Sequence, residues 1–261
     1  MILINSKKKK VFFSIITVTK DSHLTLSKCI NSVTRQTFKN FEHIIIDGGS
    51  NNKTIKIIKK NSKKIRYAIS EKDKNLWEAI NKGIKASNGK VICILNSDDI
   101  FFKNALKIAY SYFKSKKIGY LFGSVMKNKV YGNFYPEQIR YKFNIFPSHS
   151  ISFFVKKSLH KKIGLYDDNF NFCADYDFIL KLVNQKISYA CSKPNEVFGK
   201  FAKGGISSNI SIFKKIYYES KVRIKNGQNL FFVIFLGVLH FLNFLWNRIL
   251  LFLRIKKSLN W

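Results

Sequence analysis

The sequence predicts an α/β domain built on a mostly parallel β-sheet with crossover helices. Three observations carry that expectation. Short runs rich in β-branched and aromatic residues alternate with segments whose apolar residues recur at helical spacing. The runs are apolar nearly throughout, as strands buried on both faces are. Acidic or amide residues stand where such strands would end, and ligands in sheets of this kind sit outside the carboxyl ends of the strands.

In chain order, Val11 to Thr19 reads as a buried strand. Leu24, Ile30 and Val33 follow at helical spacing, with Asp21 or Ser22 as the N-cap. Phe41 to Ile46 is a second strand, ending at Asp47-Gly48-Gly49-Ser50 and followed by a Lys-rich helix. Ile65 to Ile69 is a short third strand. Trp77, Ile80 and Ile84 mark a helix closing at Gly89, and Val91 to Leu95 is a fourth strand. After Leu121 the segments shorten. Tyr120 to Val125, Val130 to Tyr135 and Ile151 to Val155 are strand-like, Asp175 to Asn184 is helical, and Pro194 to Phe201 is strand-rich.

Leu230 to Leu253 is strongly apolar, and about 20 such residues suffice to span a bilayer. His240, Asn243, Asn247 and Arg254 fall at spacings of three, four and seven, so they form one narrow polar stripe. That stripe suits a helix lying in the membrane interface, one packing its polar side on protein, or a span. Basic residues on both sides of the stretch favour lying on an anionic leaflet over crossing it.

The chain has 261 residues, 46% of them hydrophobic and 24% charged, which suits a globular fold and excludes wholesale disorder. Its 47 basic and 15 acidic side chains give a formal charge of +32, so anionic surfaces attract it. A nucleic-acid binder would need clustered lysines with exposed aromatics, whereas here the lysines are spread and the aromatics sit in apolar runs. The four cysteines form no CxxC pair, and Cys93 lies inside an apolar run, as a reduced, buried thiol would. Met1 to Ile4 is too short for a secretory signal, so the expectation is a reduced, cytosolic-facing protein.

Carboxylates are scarce, which makes their positions informative. Asp47 follows Ile44-Ile45-Ile46, and Asn96-Ser97-Asp98-Asp99 follows Val91 to Leu95. Adjacent carboxylates at a strand end would repel unless a cation joined them, and hard oxygen ligands select Mg2+ or Mn2+ together with a substrate's phosphates. The plainer alternative is that one of the pair caps a helix beginning near Phe101. Asp175 and Asp177 open a helix, where an aspartate is a cap, a dipole partner or a general base. His149, in Pro147-Ser148-His149-Ser150, is either a turn residue or a contact to phosphate or acceptor.

These residues together resemble a family 2 glycosyltransferase of the bacterial polysaccharide-building, colanic acid type. The resemblance runs through Ile15 to Thr19, Ser32 to Thr37, Phe41 to Ser50, Ser70 to Lys74, Ala79 to Ile84 and Asn88-Gly89. It continues at Leu95-Asn96-Ser97-Asp98-Asp99, a form of the DxD motif, then at His149, Gly164 to Asp167, Ala174 to Asp177 and Gly204 to Ser207. It implies a GT-A fold in residues 11–226, with a nucleotide-sugar half over about 11–121 and an acceptor half over about 122–226. Residues 1–10 stand apart as a basic segment and 227–261 as a membrane-associated helix.

The resemblance assigns nucleotide-sugar binding to Thr17, Thr19, Asp47, Asp73, Asn81, Lys82, Asn96 and Asp98. It assigns the metal, Mn2+ or Mg2+, to Asp99 with Asp98, and the catalytic base to Asp175. Lys20 and Thr19 depart from the aromatic-Asn pair common in the family, and Ala174 replaces the Glu before the base. The Gln-x-x-Arg-Trp signature of processive synthases is absent, which implies a single addition. The implied activity is inverting transfer from a nucleotide diphosphate sugar to a glycan or lipid-linked acceptor, at the cytoplasmic face of the inner membrane. The rival is a non-catalytic relative that binds sugar nucleotide or glycan.

Overall fold

Strand β2 (Phe13–Thr19) has all seven residues buried, and it pairs in parallel with β3 (Phe41–Asp47) from Phe13↔Phe41 to Thr19↔Asp47. The structure, a computed structural model, describes residues 1–6, 10–132, 134–141, 150–170, 172–202 and 210–259, with 251 and 254–259 described by backbone alone. Beyond β3 lies β4 (Tyr67–Ser70), also parallel. Its outer edge carries β1 (Ile2–Asn5), antiparallel, so part of the basic N-terminal segment is a sheet strand.

On the other side of β2, β5 (Val91–Ile94) pairs in parallel. The sheet then continues through β10 (Phe153–Lys156), β7 (Tyr120–Phe122) and β11 (Tyr189–Cys191), with β10 antiparallel to both neighbours. A second sheet orders β6 (Ile100–Phe101), β12 (Val197–Lys200), β8 (Ser124–Met126) and β9 (Val130–Tyr131).

Alternation along β2 explains the continuous apolar run. Ile15 and Cys93 face a layer that includes Cys29 and Val33 of α1 (Leu26–Thr34) and Ala105 and Ala109 of α4 (Ala105–Ser115). Ile16 and Val18 face Ile80 and Ile84 of α3 (Leu76–Ala86) and Phe178 and Leu182 of α6 (Ala174–Asn184). A Cβ on Gly83 would lie 2.3 Å from Ile16 Cγ2, so only glycine lets α3 approach β2 this closely. The helix α2 (Asn52–Lys60) is capped by Asn51, whose side chain accepts from the Lys53 and Thr54 amides. The short α5 (Lys157–Lys162) follows β10, and α7 (Ile212–Lys225) leads to the long α8 (Leu230–Leu259).

Some expected boundaries move, each for a packing reason. The first helix starts at Leu26 rather than at Asp21 or Ser22, and the Ser22 carbonyl accepts from the Thr25 and Leu26 amides. No helix begins near Phe101, because Ile100–Phe101 is drawn into β6 against β12, so neither Asp98 nor Asp99 is a helix cap. The expected strand from Val130 shortens to Val130–Tyr131, and Pro136 opens a 3-10 turn over Pro136–Arg140 instead. Of the polar stripe of α8, His240 turns onto protein, buried with Nδ1 3.5 Å from Glu219 Oε2 of α7, while Asn243 and Asn247 stay exposed.

Candidate active site

The parallel strands β2, β3, β4 and β5 end on one edge of the sheet, and a cavity of about 480 Å³ opens there. Between β2 and β5 the strand order reverses direction, the place where open α/β sheets bind ligands. The loops after β2 and β3 are tied together. Asp21 sits at φ 50, a left-handed conformation that aspartate tolerates. From there its amide donates to Ser50 Oγ at 2.7 Å and its carboxylate accepts from the Asn51 amide at 2.9 Å. Gly49, at φ +77, makes the turn that brings Ser50 into place.

Of the residues singled out in the sequence, Thr19, Asp73, Asn96, Asp98 and Asp175 line this cavity. Asp47 is fully buried at the end of β3. Its Oδ2 accepts from the Ser50 amide at 2.9 Å and from Ser70 Oγ at 2.6 Å, while Oδ1 has no hydrogen-bond partner. Thr19 Oγ1 and Asp73 Oδ2 are likewise buried and unpartnered. A Cβ built on Gly48 would stand 3.4 Å from Asp73 Oδ2 and 3.7 Å from the Lys20 stem, so Lys20 flanks the same corner. Buried polar atoms are normally satisfied, so the two orphans on residues lining this cavity, Thr19 Oγ1 and Asp73 Oδ2, suit polar groups of a ligand.

Lys82, expected to touch the nucleotide sugar, is held by three carboxylates: Asp73 at 2.6 Å, Glu71 at 2.7 Å and Glu78 at 3.4 Å. Burial disfavours its charge, but the hydrogen bonds to Asp73, Glu71 and Glu78 outweigh that and hold the ammonium above the usual lysine range. For Asp73 the balance is reversed. Burial raises its pKa despite the pull of Lys82. The two directions agree once Oδ2 is considered, since that oxygen is buried with no donor and carries the desolvation cost.

Thr17 and Asn81 also support the site from behind. Thr17 is fully buried and its hydroxyl lies 2.9 Å from His43 Nε2. Asn81 clamps the Tyr166 backbone, donating to its carbonyl at 2.8 Å and accepting from its amide at 3.1 Å.

The adjacent aspartates point in opposite directions. The Asp99 amide returns to the Asn96 carbonyl at 3.1 Å, closing a turn that leaves Asp98 exposed on the cavity wall and Asp99 3% exposed behind it. There Asp99 accepts from the Ala202 amide at 3.0 Å, anchoring the chain beyond β12, and from Asn96 Nδ2 at 3.3 Å. Burial first, then the charge of Asp98, push its carboxyl up to about 7. Among the described residues no three His, Cys, Asp or Glu side chains gather as a preformed cation cage.

Asp175 lines the same cavity from the start of α6, half-buried, with Oδ1 accepting from the Tyr176 amide at 2.9 Å. Aromatic surface lies beside it, where Trp77 packs on Tyr166 with ring centroids 5.3 Å apart and Phe172 lines the same cavity. Asn75 was not singled out in the sequence, yet it organises this corner. It caps α3 through the Trp77 and Glu78 amides and donates to the Asp168 carbonyl at 2.7 Å. The Asn75…Glu78 spacing was the available signal, as a capping pair before an apolar run. His149 and the Gly204 to Ser207 stretch lie outside the described residues.

Residues 14–174, more than half of the chain, match the Glycosyl transferase family 2 profile. The chain belongs to glycosyl transferase family 2. Among family members, the Escherichia coli UDP-Glc:alpha-D-GlcNAc-diphosphoundecaprenol beta-1,3-glucosyltransferase WfgD is 30% identical over 133 residues, 49% of this chain and 53% of its own length. This chain thus spans about half of that relative. A PGL/p-HBAD biosynthesis glycosyltransferase of Mycobacterium bovis is 25% identical over 76% of this chain and 80% of its own.

The GT-A fold is shared with solved structures at low identity. The mannosyltransferase PcManGT from Pyrobaculum calidifontis, in complex with GDP-Man and Mn2+, superposes with TM-score 0.64 at 12% identity, over 86% of this chain and 67% of its own. Staphylococcus aureus TarS 1-349 in complex with UDP-GlcNAc gives TM-score 0.61 at 17% identity, over 85% and 69%.

Proposed function

We propose that this chain is an inverting glycosyltransferase that moves one hexosyl or N-acetylhexosaminyl unit from a nucleotide diphosphate sugar to a hydroxyl acceptor. The observation that carries the reading is the convergence of Asp73, Asp98 and Asp175, from three separate elements, on one cavity at the strand ends. Asp73 Oδ2, Asp47 Oδ1 and Thr19 Oγ1 supply unsatisfied hydrogen-bonding atoms for a nucleoside. Lys20 and Lys74, both on the cavity wall, attract a diphosphate. Asp98, with Asn96 beside it, would hold a Mg2+ or Mn2+ ion, since such ions use one or two carboxylates and complete their shell with water and phosphate oxygens. When bound, that ion offsets the charge building on the departing diphosphate.

In the reaction, the acceptor oxygen bonds to the anomeric carbon as the bond from that carbon to the diphosphate oxygen breaks. The hydroxyl proton passes to the Asp175 carboxylate, and the nucleoside diphosphate leaves. Attack from the face opposite the leaving group inverts the anomeric centre. Asp175, from the start of α6, and Asp98, from the turn after β5, line the same cavity.

The acceptor we propose is a glycan or lipid-linked oligosaccharide of cell-surface polysaccharide synthesis, at the cytoplasmic face of a membrane. Support comes from the WfgD relative, named for a diphosphoundecaprenol acceptor, and from the apolar α8 on a chain of charge +32.

A panel of nucleotide diphosphate sugars, each incubated with the chain with and without Mn2+, tests this reading, because hydrolysis needs no acceptor. Slow, metal-stimulated release of one nucleoside diphosphate is the expected result. Donor binding without any turnover would favour the non-catalytic reading, for which the replacement of the Glu before the base by Ala174 is the supporting mark.

A further inference from the structure

A narrow side of α8 packs on α7 and the rest is exposed. Val233, Leu236 and His240 are buried against α7, and a Cβ on Gly237 would meet Ile216 Cγ2 at 3.3 Å. Asn243 and Asn247 share a small cavity with Ile212 and Lys215 of α7. On the opposite side, Phe231, Phe235, Val238, Leu242, Leu245 and Ile249 recur at alternating spacings of four and three, and each is at least 40% exposed. The neighbouring helix repeats the pattern. Phe213, Tyr217 and Ile224 of α7 are 69%, 58% and 47% exposed, and Phe213 meets Phe241 of α8 with ring centroids 5.5 Å apart. The two stripes therefore join into one apolar face.

Length alone would let Leu230–Leu250 cross a bilayer. The attachment of α8 to α7 argues against crossing. The buried contacts run from Val233 to His240, through the first half of that window, so a crossing α8 would draw the packed part of α7 toward the hydrocarbon. With it would go Lys214, Lys215, Glu219, Lys221, Arg223 and Lys225. Charged side chains are strongly disfavoured there. Moreover, Arg223 donates to the Arg140 carbonyl at 2.6 Å and Asn226 donates to Asp177 at 2.8 Å, so α7 is anchored to the globular part.

Lying flat satisfies every group. The joined stripes enter the acyl boundary while lysines border them at headgroup depth. Lys221 shows that geometry, with its ammonium 5.7 Å from the Tyr217 ring centroid.

We propose that α7 and α8 form one in-plane docking surface for an anionic lipid bilayer, embedding the joined apolar stripes without crossing it. The proposal rests on the membrane-associated reading above and decides how the chain sits.

The test uses the full chain bound to phosphatidylcholine/phosphatidylglycerol vesicles, with a spin label placed in turn at Phe235→Cys, Val238→Cys, Leu242→Cys, Leu245→Cys and Ile249→Cys. Electron paramagnetic resonance depth measurement should give one shallow depth for all five positions. A steady gradient through the bilayer centre would overturn the in-plane arrangement while leaving membrane association intact. Labels that stay in water, or a chain that ignores the vesicles and dimerises through this face, would overturn both.

Phe213→Glu provides an independent readout on α7, with a thermal melt to show that loss of its contact to Phe241 leaves the fold intact. It should weaken vesicle partition roughly ten-fold, as Phe235→Glu on α8 should. Unchanged partition for Phe213→Glu alone would remove α7 from the surface.

Discussion

Lys82 Nζ lies 2.6 Å from Asp73 Oδ1, and the other oxygen of that carboxylate is buried without a donor. One side of Asp73 is thus fixed by protein and the other has no protein donor. Lys82→Met should remove the fixation and leave Glu71, Asp73 and Glu78 repelling one another. We expect the donor KM to rise roughly ten-fold with a smaller change in kcat, since the lost order affects binding in ground and transition states alike. Lys82→Arg should recover most of the affinity. Titration calorimetry with nucleoside diphosphate checks both, and an unchanged affinity in Lys82→Met would make the pair irrelevant to binding.

The neighbouring aspartates at the end of β5 have separable roles. Asp98→Ala should erase the effect of Mn2+ on donor affinity while leaving thermal stability close to the parent. Asp99→Ala should do the reverse. Its loss frees the part-buried Ala202 amide and removes the anchor of the chain beyond β12, and should lower the melting temperature. Calorimetry and thermal melts on the two variants decide the assignment. Loss of the Mn2+ response in Asp99→Ala with normal stability would place the cation on Asp99 instead.

Two buried histidines predict acid sensitivity of the fold. Burial holds His43 down to about 3, and burial outweighs a hydrogen bond with Gly164 to hold His160 down to about 4. Unfolded, both take up a proton near pH 6.5. Between those values the unfolded state binds more protons, so stability is complete above about pH 6.5 and falls as the pH drops. From pH 7 to pH 5 each histidine should cost about 2 kcal/mol. Over the same range buried Asp99, raised to about 7, takes up a proton in the folded state and offsets part of that loss, so the histidines are read by difference. His160→Phe, which keeps the stack on Phe178 at 4.6 Å, should reduce the pH 7 to pH 5 loss measured by urea denaturation by about 2 kcal/mol relative to the parent. The same pH dependence in His160→Phe and the parent would contradict a histidine held neutral in the fold.

The parts of the site that follow from local sequence were legible. Ile44-Ile45-Ile46 ending in Asp47 marks a strand end without knowledge of its neighbours, and the same holds for Val91 to Leu95 and the turn after it. What depends on distant chain was hidden. Asp99 turns inward because β12 brings Ala202 to it across 103 residues, and Asn81 is a clamp because Tyr166 arrives from 85 residues away. The stripe of His240, Asn243 and Asn247 was visible as periodicity, but its partner was not, since nothing in α8 names Glu219 or Lys215. Strand β1 was missed because Ile2–Asn5 is too short to show alternation and owes its shape to the open edge of β4.

In the proposed reaction Asp175 takes the acceptor proton. The measurement that tests it most directly is single-turnover transfer by Asp175→Asn beside calorimetric donor binding by the same variant. Asparagine keeps the shape and the capacity to accept from the Tyr176 amide, and lacks only the basic carboxylate. The account predicts a rate lower by about 10²–10⁴-fold with donor affinity close to the parent. Near-normal transfer by Asp175→Asn would contradict it.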